Sequence, residues 1–542
     1  MILLLLVPCA ILLTFRDYGI TWDEPMQNRY GSLVDRFYIG VLHGHYDLKA
    51  INEDLDFRYY GGLFDSIASG VEHLSPYGEF ETRHLLNALV GLIAIVGCWK
   101  LARLLGGSAA AFWAVALLVL IPRFYGHIFN NPKDVPFAAG FVWSLYYLAA
   151  AIPLLPRIPW RLCFQIGCAI GLTLGVRVGG LLLLAYLAVL QCGYLGYAFF
   201  RSGRERELWS HASTTASRFL AITAVAWIIM LSLWPWAQPA PLTRPFQALA
   251  HFSAMPWEGT VLFHGAQVKA ANLPRIYTVT WLAITLPESI LALLLLAAAV
   301  GASAVWKKRL SLFRTPLAIQ ETFLAFAVSF PLMYVFITKP VLYDAERHSL
   351  YLVPPITCLC SIVLASVLNQ LAGARRSAAL AVVAILAICL AWQASIMIRL
   401  HPQEYVYFNQ TVGGLPGAAG LYETDYWGNA YREAVKILVQ YVGPERAKDA
   451  SRNYKVYMTS TQRVSATYYF PPYLSLTADS DNADFFVATT RYNVDRSIDG
   501  CIVGTVERFG VPLAVIKDRR CLKPASVDRA VADHAGKGPK AL

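Results

Sequence analysis

A succession of apolar runs constrains this chain more than any other feature, most of them about 17 to 25 residues long, the length that crosses a bilayer's hydrocarbon core. They fall at about 1–15, 83–105, 109–123, 135–153, 162–177, 179–200, 218–236, 285–305, 317–338, 349–371 and 377–398. Of 542 residues 56% are hydrophobic and only 15% charged, too little charge to cover a soluble domain. The expected fold class is a polytopic α-helical membrane protein of about eleven transmembrane helices. The first run has no basic n-region and no small-residue cleavage site, so it reads as an anchor rather than a signal peptide.

The net charge of +11 is distributed by topology. Basic residues gather in every second loop: Lys100 and Arg103, Arg157 and Arg161, Arg201 to Arg218, Lys307 to Arg314, Arg375 and Arg376. That alternation is the positive-inside pattern of cytoplasmic loops, and it excludes a nucleic-acid footprint. The opposite side opens with Asp17 to Thr82, a loop of twelve acids and four bases. Starting inside, eleven crossings place the N-terminus in the cytoplasm and the C-terminus across the plasma (inner) membrane. The turn Arg177-Val-Gly-Gly180 must be tight for this register to hold. Thr285-Leu-Pro-Glu288 has a capping-box pattern with Pro in the first turn, and Tyr277 to Ile284 reads as an interfacial piece too short to span.

From Arg399 the texture changes to eighteen Lys/Arg and fifteen Asp/Glu, the balance of a soluble domain. The expected division is a membrane domain over 1–398 with its long first loop at 17–82, a small C-terminal α/β extramembrane domain over 399–524, and a disordered tail over 525–542. Asn429 to Val442 reads as an amphipathic helix; Tyr454 to Thr459, Asp484 to Thr489, Ile502 to Phe509 and Pro512 to Lys517 read as strands. Eight of ten cysteines lie in apolar spans as small hydrophobes. Cys501 and Cys521 flank an expected hairpin and are candidates for a disulfide in an oxidising compartment. No Cys/His spacing suggests zinc.

Three turns on the non-cytoplasmic side hold residues able to do chemistry. Gly19-Ile-Thr-Trp-Asp-Glu-Pro-Met-Gln-Asn-Arg-Tyr-Gly31 places Asp23 and Glu24 beside the membrane surface. The pair reads equally as helix capping, since Pro25 suits a first turn and acids favour the helix dipole. Phe124-Tyr-Gly-His-Ile-Phe-Asn-Asn-Pro-Lys-Asp-Val-Pro136 crowds His127, Lys133 and Asp134 into one turn, where Asp134 also suits a cap. Lys339-Pro-Val-Leu-Tyr-Asp-Ala-Glu-Arg-His-Ser349 puts Lys339, Arg347 and His348 where the positive-inside rule disfavours cations, which favours a phosphate-binding role, and Arg177 is a fourth such cation. Tyr343 in that turn and Trp257 in the 237–276 loop are candidate substrate contacts, as is His127. Carboxylates and cations meeting at a membrane surface are what sugar transfer from a phosphate carrier needs: one carboxylate takes the acceptor proton, and cations neutralise the departing phosphate.

Asp23-Glu24 after the first span, the Asn-Pro-Lys-Asp turn before the fourth, and Arg347-His348 with Pro354-Pro355 in the next helix resemble the GT-C superfamily. The resemblance is nearest to the protein O-mannosyltransferase and aminoarabinose-transferase group (family 39, ArnT-like), with its bacterial RgtA/B/C/D-like members. Tyr405-Val-Tyr-Phe-Asn409, Val412-Gly-Gly414 and Asp425-Tyr-Trp-Gly428 are similar to bacterial members of that group. The resemblance implies an inverting glycosyltransferase with a polyprenyl-phosphate-sugar donor, a lipid, glycan or protein acceptor, and an active site facing periplasm or lumen. It implies Asp23 as general base, Glu24 following it in the Asp-Glu pattern, Asp134 as the second-loop acid, and Arg347 as the lipid-phosphate cation. No cofactor is required by the group's better-studied branches, while a divalent metal at the first acid stays open. Two other readings share this topology: a polysaccharide polymerase or ligase, which usually lacks the Asp-Glu pair, and a lipid-linked glycan transporter, which would carry internal repeats and midplane polar residues.

Overall fold

The computed structural model describes residues 2–522 except 55–56, 203–204, 256, 309–314 and 460–462. The expected tail over 525–542 and part of the basic loops, including Arg204, Arg309 and Arg314, lie outside the described residues. The protein is a polytopic α-helical membrane protein with a small C-terminal sheet. Among the described residues, eight helices are long and apolar enough to cross a membrane, and Leu4–Thr14 and Trp160–Leu174 are shorter apolar helices. One of the eight, Glu79–Val119, holds two of the expected spans. It breaks at Gly107, whose φ of 74° lies in the left-handed region that glycine enters without a Cβ clash. The expected third span stops early, at Val119, because Pro122 begins a separate helix, Pro122–Asn130. Large apolar side chains on these helices, such as Leu13, Leu295, Val305 and Ile388, are left exposed, as suits lipid-facing positions.

Glu79–Val119 is the axis of the bundle, packing against Val353–Ala374, Asp134–Ala151 and Ile2–Thr14. Small residues let the first pair approach closely: Cys98 and Cys358 stand with their sulfurs 3.3 Å apart. The first loop, which the sequence leaves as a long acidic connection, folds into the helices Glu24–Leu42 and Leu63–Glu72. It is tied to the bundle by backbone at Gly61-Gly62. Gly62 N–H donates to the Leu233 carbonyl (3.0 Å) and Leu63 N–H to the Gly175 carbonyl (3.1 Å). A Cβ on Gly61 would run into that same Gly175 carbonyl. Gly61→Ala should therefore destabilise the protein by about 1–3 kcal/mol or more, read as a lowered thermal midpoint in detergent; an unchanged midpoint would show that the loop yields there.

By contact density the chain divides into two units, one of Met1–Asn429 with Arg508–Val511, the other of Ala430–Glu507 with the described residues from Pro512 onward. In the first, a short hairpin pairs β1 (Thr260–Phe263) with β2 (Ala266–Lys269) across a His264-Gly265 turn. Both turn residues have positive φ, 51° and 79°, the backbone of the favoured two-residue hairpin turns. The second unit has the helix Tyr431–Lys448 and a five-stranded sheet of β3 (Tyr454–Tyr457), β4 (Leu474–Thr477), β5 (Phe485–Thr489), β6 (Cys501–Arg508) and β7 (Val511–Asp518) in the order β4-β3-β5-β7-β6. β4, absent from the sequence expectation, is only four residues long and pairs in parallel with β3. Cys501 and Cys521 are joined as a disulfide with Cα atoms 6.3 Å apart.

Candidate active site

The Asp23-Glu24 pair is split by the helix that it starts. Glu24 turns inward and is fully buried. One carboxylate oxygen accepts from Thr21 N–H (2.7 Å) and Thr21 hydroxyl (3.1 Å), while the other lies 3.0 Å from His84 Nε2. These contacts assign Glu24 to holding the Thr21–Glu24 turn, the capping-type role. Asp23 points the other way, its carboxylate one-third exposed and its Oδ2 accepting from Arg347 Nη1 at 2.9 Å.

The Asn-Pro-Lys-Asp turn builds the second wall. Asp134 is buried, with both oxygens engaged: Oδ1 is 2.7 Å from Arg177 Nη1 and Oδ2 accepts from Asn131 Nδ2 at 3.0 Å. Asn131 returns the contact by accepting from Asp134 N–H (3.0 Å), an Asx-type closure of the turn. Its amide nitrogen also lies 3.3 Å from His127 Nδ1, and His127 Nε2 lies 3.1 Å from Tyr426 Oη. Burial, aided by Arg123 and Arg347, holds His127 well below the ordinary histidine value, and the ring is fully buried between Asn131 and Tyr426 and does not face an open site. Lys133, 5% exposed, faces the rings of Tyr60 and Phe57.

The third turn supplies the centre. Asp344 and Ala345 both take left-handed backbone, φ 55° and 61°, a conformation that costs non-glycine residues roughly 1–3 kcal/mol each and needs support from its surroundings. Asp344 provides that support, its Oδ2 accepting from Trp427 Nε1 (3.1 Å) and lying 3.2 Å from Arg347 Nη2. The turn delivers Glu346 inward to Arg123 and Arg347 outward to Asp23. The Arg347 guanidinium also sits 4.9 Å from the ring centres of both Tyr343 and Trp427. Tyr343 stacks on Trp257 at 4.6 Å and meets His348 edge-on at 4.9 Å. Tyr60 joins the first loop to the second wall, its ring centre 5.8 Å from the Arg177 guanidinium and 3.4 Å from Lys133 Nζ.

Of the residues singled out from the sequence, the structure gathers Asp23, Asp134, Arg177, Arg347, His348, Lys133, Tyr343 and Trp257. Lys339 is exposed at the C-cap of Pro316–Thr338, in left-handed backbone. Residues that the sequence reading passed over also build the cluster: Asp344, Trp427, Tyr60, Asn131 and the buried pair Arg123–Glu346. Trp427 arrives because residues 401–429 fold back over the bundle. Asn429 accepts from Gly19 N–H (2.6 Å), and Trp22 N–H donates to the Trp427 carbonyl (3.1 Å). A charged residue in a turn flanked by aromatics, as in Tyr343-Asp-Ala-Glu-Arg347, was the available signal for Asp344 and Glu346; nothing local marked Tyr60.

Among the described residues, no group of three or more His, Cys, Asp and Glu side chains is arranged to hold a metal ion. The carboxylates face guanidiniums instead. No protein-family model matches the chain, and no curated protein matches it. Among solved structures, the chain is similar to ArnT from Cupriavidus metallidurans bound to undecaprenyl phosphate, at 15% identity over 95% of this chain and 97% of that one, with a TM-score of 0.49. It is also similar to the archaeal oligosaccharyltransferase AglB from Archaeoglobus fulgidus in complex with an inhibitory peptide and a dolichol-phosphate, at 11% identity over 91% of this chain and 70% of that one, with a TM-score of 0.49.

Proposed function

We propose that this protein is an inverting membrane glycosyltransferase that moves a sugar from a polyprenyl-phosphate donor to an acceptor hydroxyl on the periplasmic face. The observation that carries this reading is the contrast between its two carboxylates. Asp134 is buried with both oxygens bound, whereas Asp23 keeps an exposed carboxylate with one oxygen on Arg347. A base must be reached by the incoming hydroxyl, and Asp23, one-third exposed with Arg347 on Oδ2, offers it an accessible oxygen that the 3% exposed Asp134 does not. Asp23 is accordingly the base, and Asp134 with Arg177 and Asn131 sets the shape of the wall opposite.

The reaction balances without an acid on the sugar's far side. The acceptor O–H gives its proton to Asp23, and its oxygen attacks the anomeric carbon. The bond from that carbon to the phosphate oxygen breaks, and its electron pair stays on the phosphate. The charge that develops there is met by Arg347, Arg177, Lys133 and His348, cations and donors preorganised in a poorly hydrated turn cluster. This differs from a glycoside hydrolase, whose poorer leaving group needs a second carboxylic acid. Trp257 and Tyr343 offer an aromatic face on which a sugar ring can stack. The guanidinium partners of the carboxylates fill the role a divalent ion would otherwise have, so no metal is required in this reading.

Protein reconstituted in liposomes with a radiolabelled polyprenyl-phosphate sugar should release the label to an acceptor, and chelation of divalent ions should leave the rate within about twofold. Transfer only from a polyprenyl-diphosphate oligosaccharide would instead identify a polymerase or ligase.

A further inference from the structure

The cations of this cluster are not equivalent. Arg347 is committed to Asp23 and Asp344, and Arg177 to Asp134. Each keeps an unpartnered Nε that a phosphate could use, but its charge is already shared with a carboxylate. Lys133 has no such commitment. Its side chain is 5% exposed, and its Nζ is buried without a hydrogen-bond acceptor. It rests between two ring faces, 3.4 Å from the Tyr60 centroid and 3.8 Å from that of Phe57. A buried ammonium held only by aromatic faces keeps three donor hydrogens unsatisfied, which is a costly arrangement unless an anion comes to use them.

We propose that Lys133 is the reserve ligand of the donor phosphate, stored in the Tyr60–Phe57 aromatic box, and that donor binding brings a proton to its amine. This rests on the lipid-phosphate reading above and deepens it by coupling donor capture to protonation.

The surroundings agree with an amine poised between charge states. Burial lowers Lys133 from the ordinary lysine range to about 7, helped by Arg177 and Arg347 and opposed by Asp65 and Asp23. Those are the charged groups that act on it: Asp65 from the Leu63–Glu72 helix, Asp23 from the first turn, Arg177 and Arg347 from two further turns. Asp65 is itself paired with Arg83 at 2.7 Å, so it does not satisfy the amine. The sign follows from linkage. The amine is mostly protonated below pH 7 and mostly neutral above it, and a phosphate anion binds the protonated form. Affinity should therefore be highest below pH 7 and fall about tenfold per unit above it.

The probe is the methyl ester of a polyprenyl phosphate, a diester that keeps one charge throughout this range, titrated calorimetrically into the full-length protein in nanodiscs. Wild type should show the affinity loss above pH 7 and a binding enthalpy that varies with buffer ionisation heat, reporting proton uptake. Lys133→Arg, always charged, should keep the background titration of the neighbouring histidines but lose most of the pH slope and the buffer dependence. Lys133→Met, similar in length, should bind about 10- to 100-fold more weakly at pH 6.5, with thermal midpoints checking that both variants fold. An unchanged pH slope in Lys133→Arg, or wild-type affinity in a folded Lys133→Met, would overturn the proposal while the donor reading stands on transfer activity. Failure of wild type to bind the diester at any pH would overturn both.

Discussion

Asparagine at Asp23 is expected to lower kcat for sugar transfer by about 10²- to 10⁴-fold, the range that a positioned general base contributes. The substitution is chosen for what it retains. An amide oxygen can still accept the 2.9 Å hydrogen bond from Arg347 Nη1, so the first turn, the Asp344-Ala345 turn and the guanidinium between Tyr343 and Trp427 should keep their places. What is lost is the ability to take a proton. The donor KM should move by no more than about threefold, because the interaction removed is one made in the transition state. Alanine at Asp23 should also abolish transfer while expression holds, but it leaves Arg347 with one carboxylate and will raise the donor KM as well. Initial rates against labelled donor, with folding checked by size exclusion, separate the two. Wild-type turnover in Asp23→Asn would remove the proposed base. Asp134→Asn supplies the contrast: Arg177 loses its charged partner in a buried wall, so the loss should extend to thermal stability, which Asp23→Asn should leave intact.

The helical frame was legible because lipid imposes it. Each crossing must satisfy its own backbone and present about 20 apolar residues, so the run lengths and the basic loops carry the topology. Gly107 agrees with that reading: at φ 74° it breaks Glu79–Val119 between the two spans that the sequence separates. Legibility ends at the first loop, which the sequence shows only as acidic. Its helices are held by long-range partners that no local pattern announces, such as Arg83 with Asp65 at 2.7 Å and Glu72 at 3.2 Å. The candidate site was legible as residue types in three turns, since the positive-inside rule disfavours cations on the non-cytoplasmic side, but their division of labour was not. Asp23 and Glu24 are adjacent and chemically alike, yet one is exposed on Arg347 and the other buried on Thr21 and His84, because successive helical residues point about 100° apart. Nor could sequence place Trp427 on Arg347, since 80 residues, including the two long helices Val353–Ala374 and Arg376–Leu400, separate them.

The largest stability effect should come from a residue that does no chemistry. Arg123 is buried with its Nε donating to the Tyr407 carbonyl (2.7 Å) and its Nη1 donating to both oxygens of Glu346 (2.9 and 3.2 Å). Its guanidinium lies over the rings of Phe408 and Trp281 at 4.7 and 5.3 Å. It therefore pins the strained turn that carries Arg347 to the helix that carries the Asn-Pro-Lys-Asp turn. Arg123→Met strands a carboxylate whose side chain is 3% exposed, and removing one partner of a buried pair costs about 3–5 kcal/mol. Burial already raises Glu346 above the ordinary carboxylate range, with Arg123 pulling it back. Without Arg123 it rises further, so the fold prefers the protonated acid: the penalty should be smallest at low pH and grow as pH rises above the unfolded carboxylate's value. Adding Glu346→Leu to Arg123→Met removes the stranded charge and should restore most of the thermal midpoint, since apolar replacement of both partners is often near neutral. Transfer activity should not return with it, because the Asp344–Arg347 turn loses the anchor that sets Arg347 against Asp23. A double variant that recovers both stability and wild-type kcat would show that the turn holds its shape without the ion pair, and that Trp427 and Asp344 suffice to aim the guanidinium.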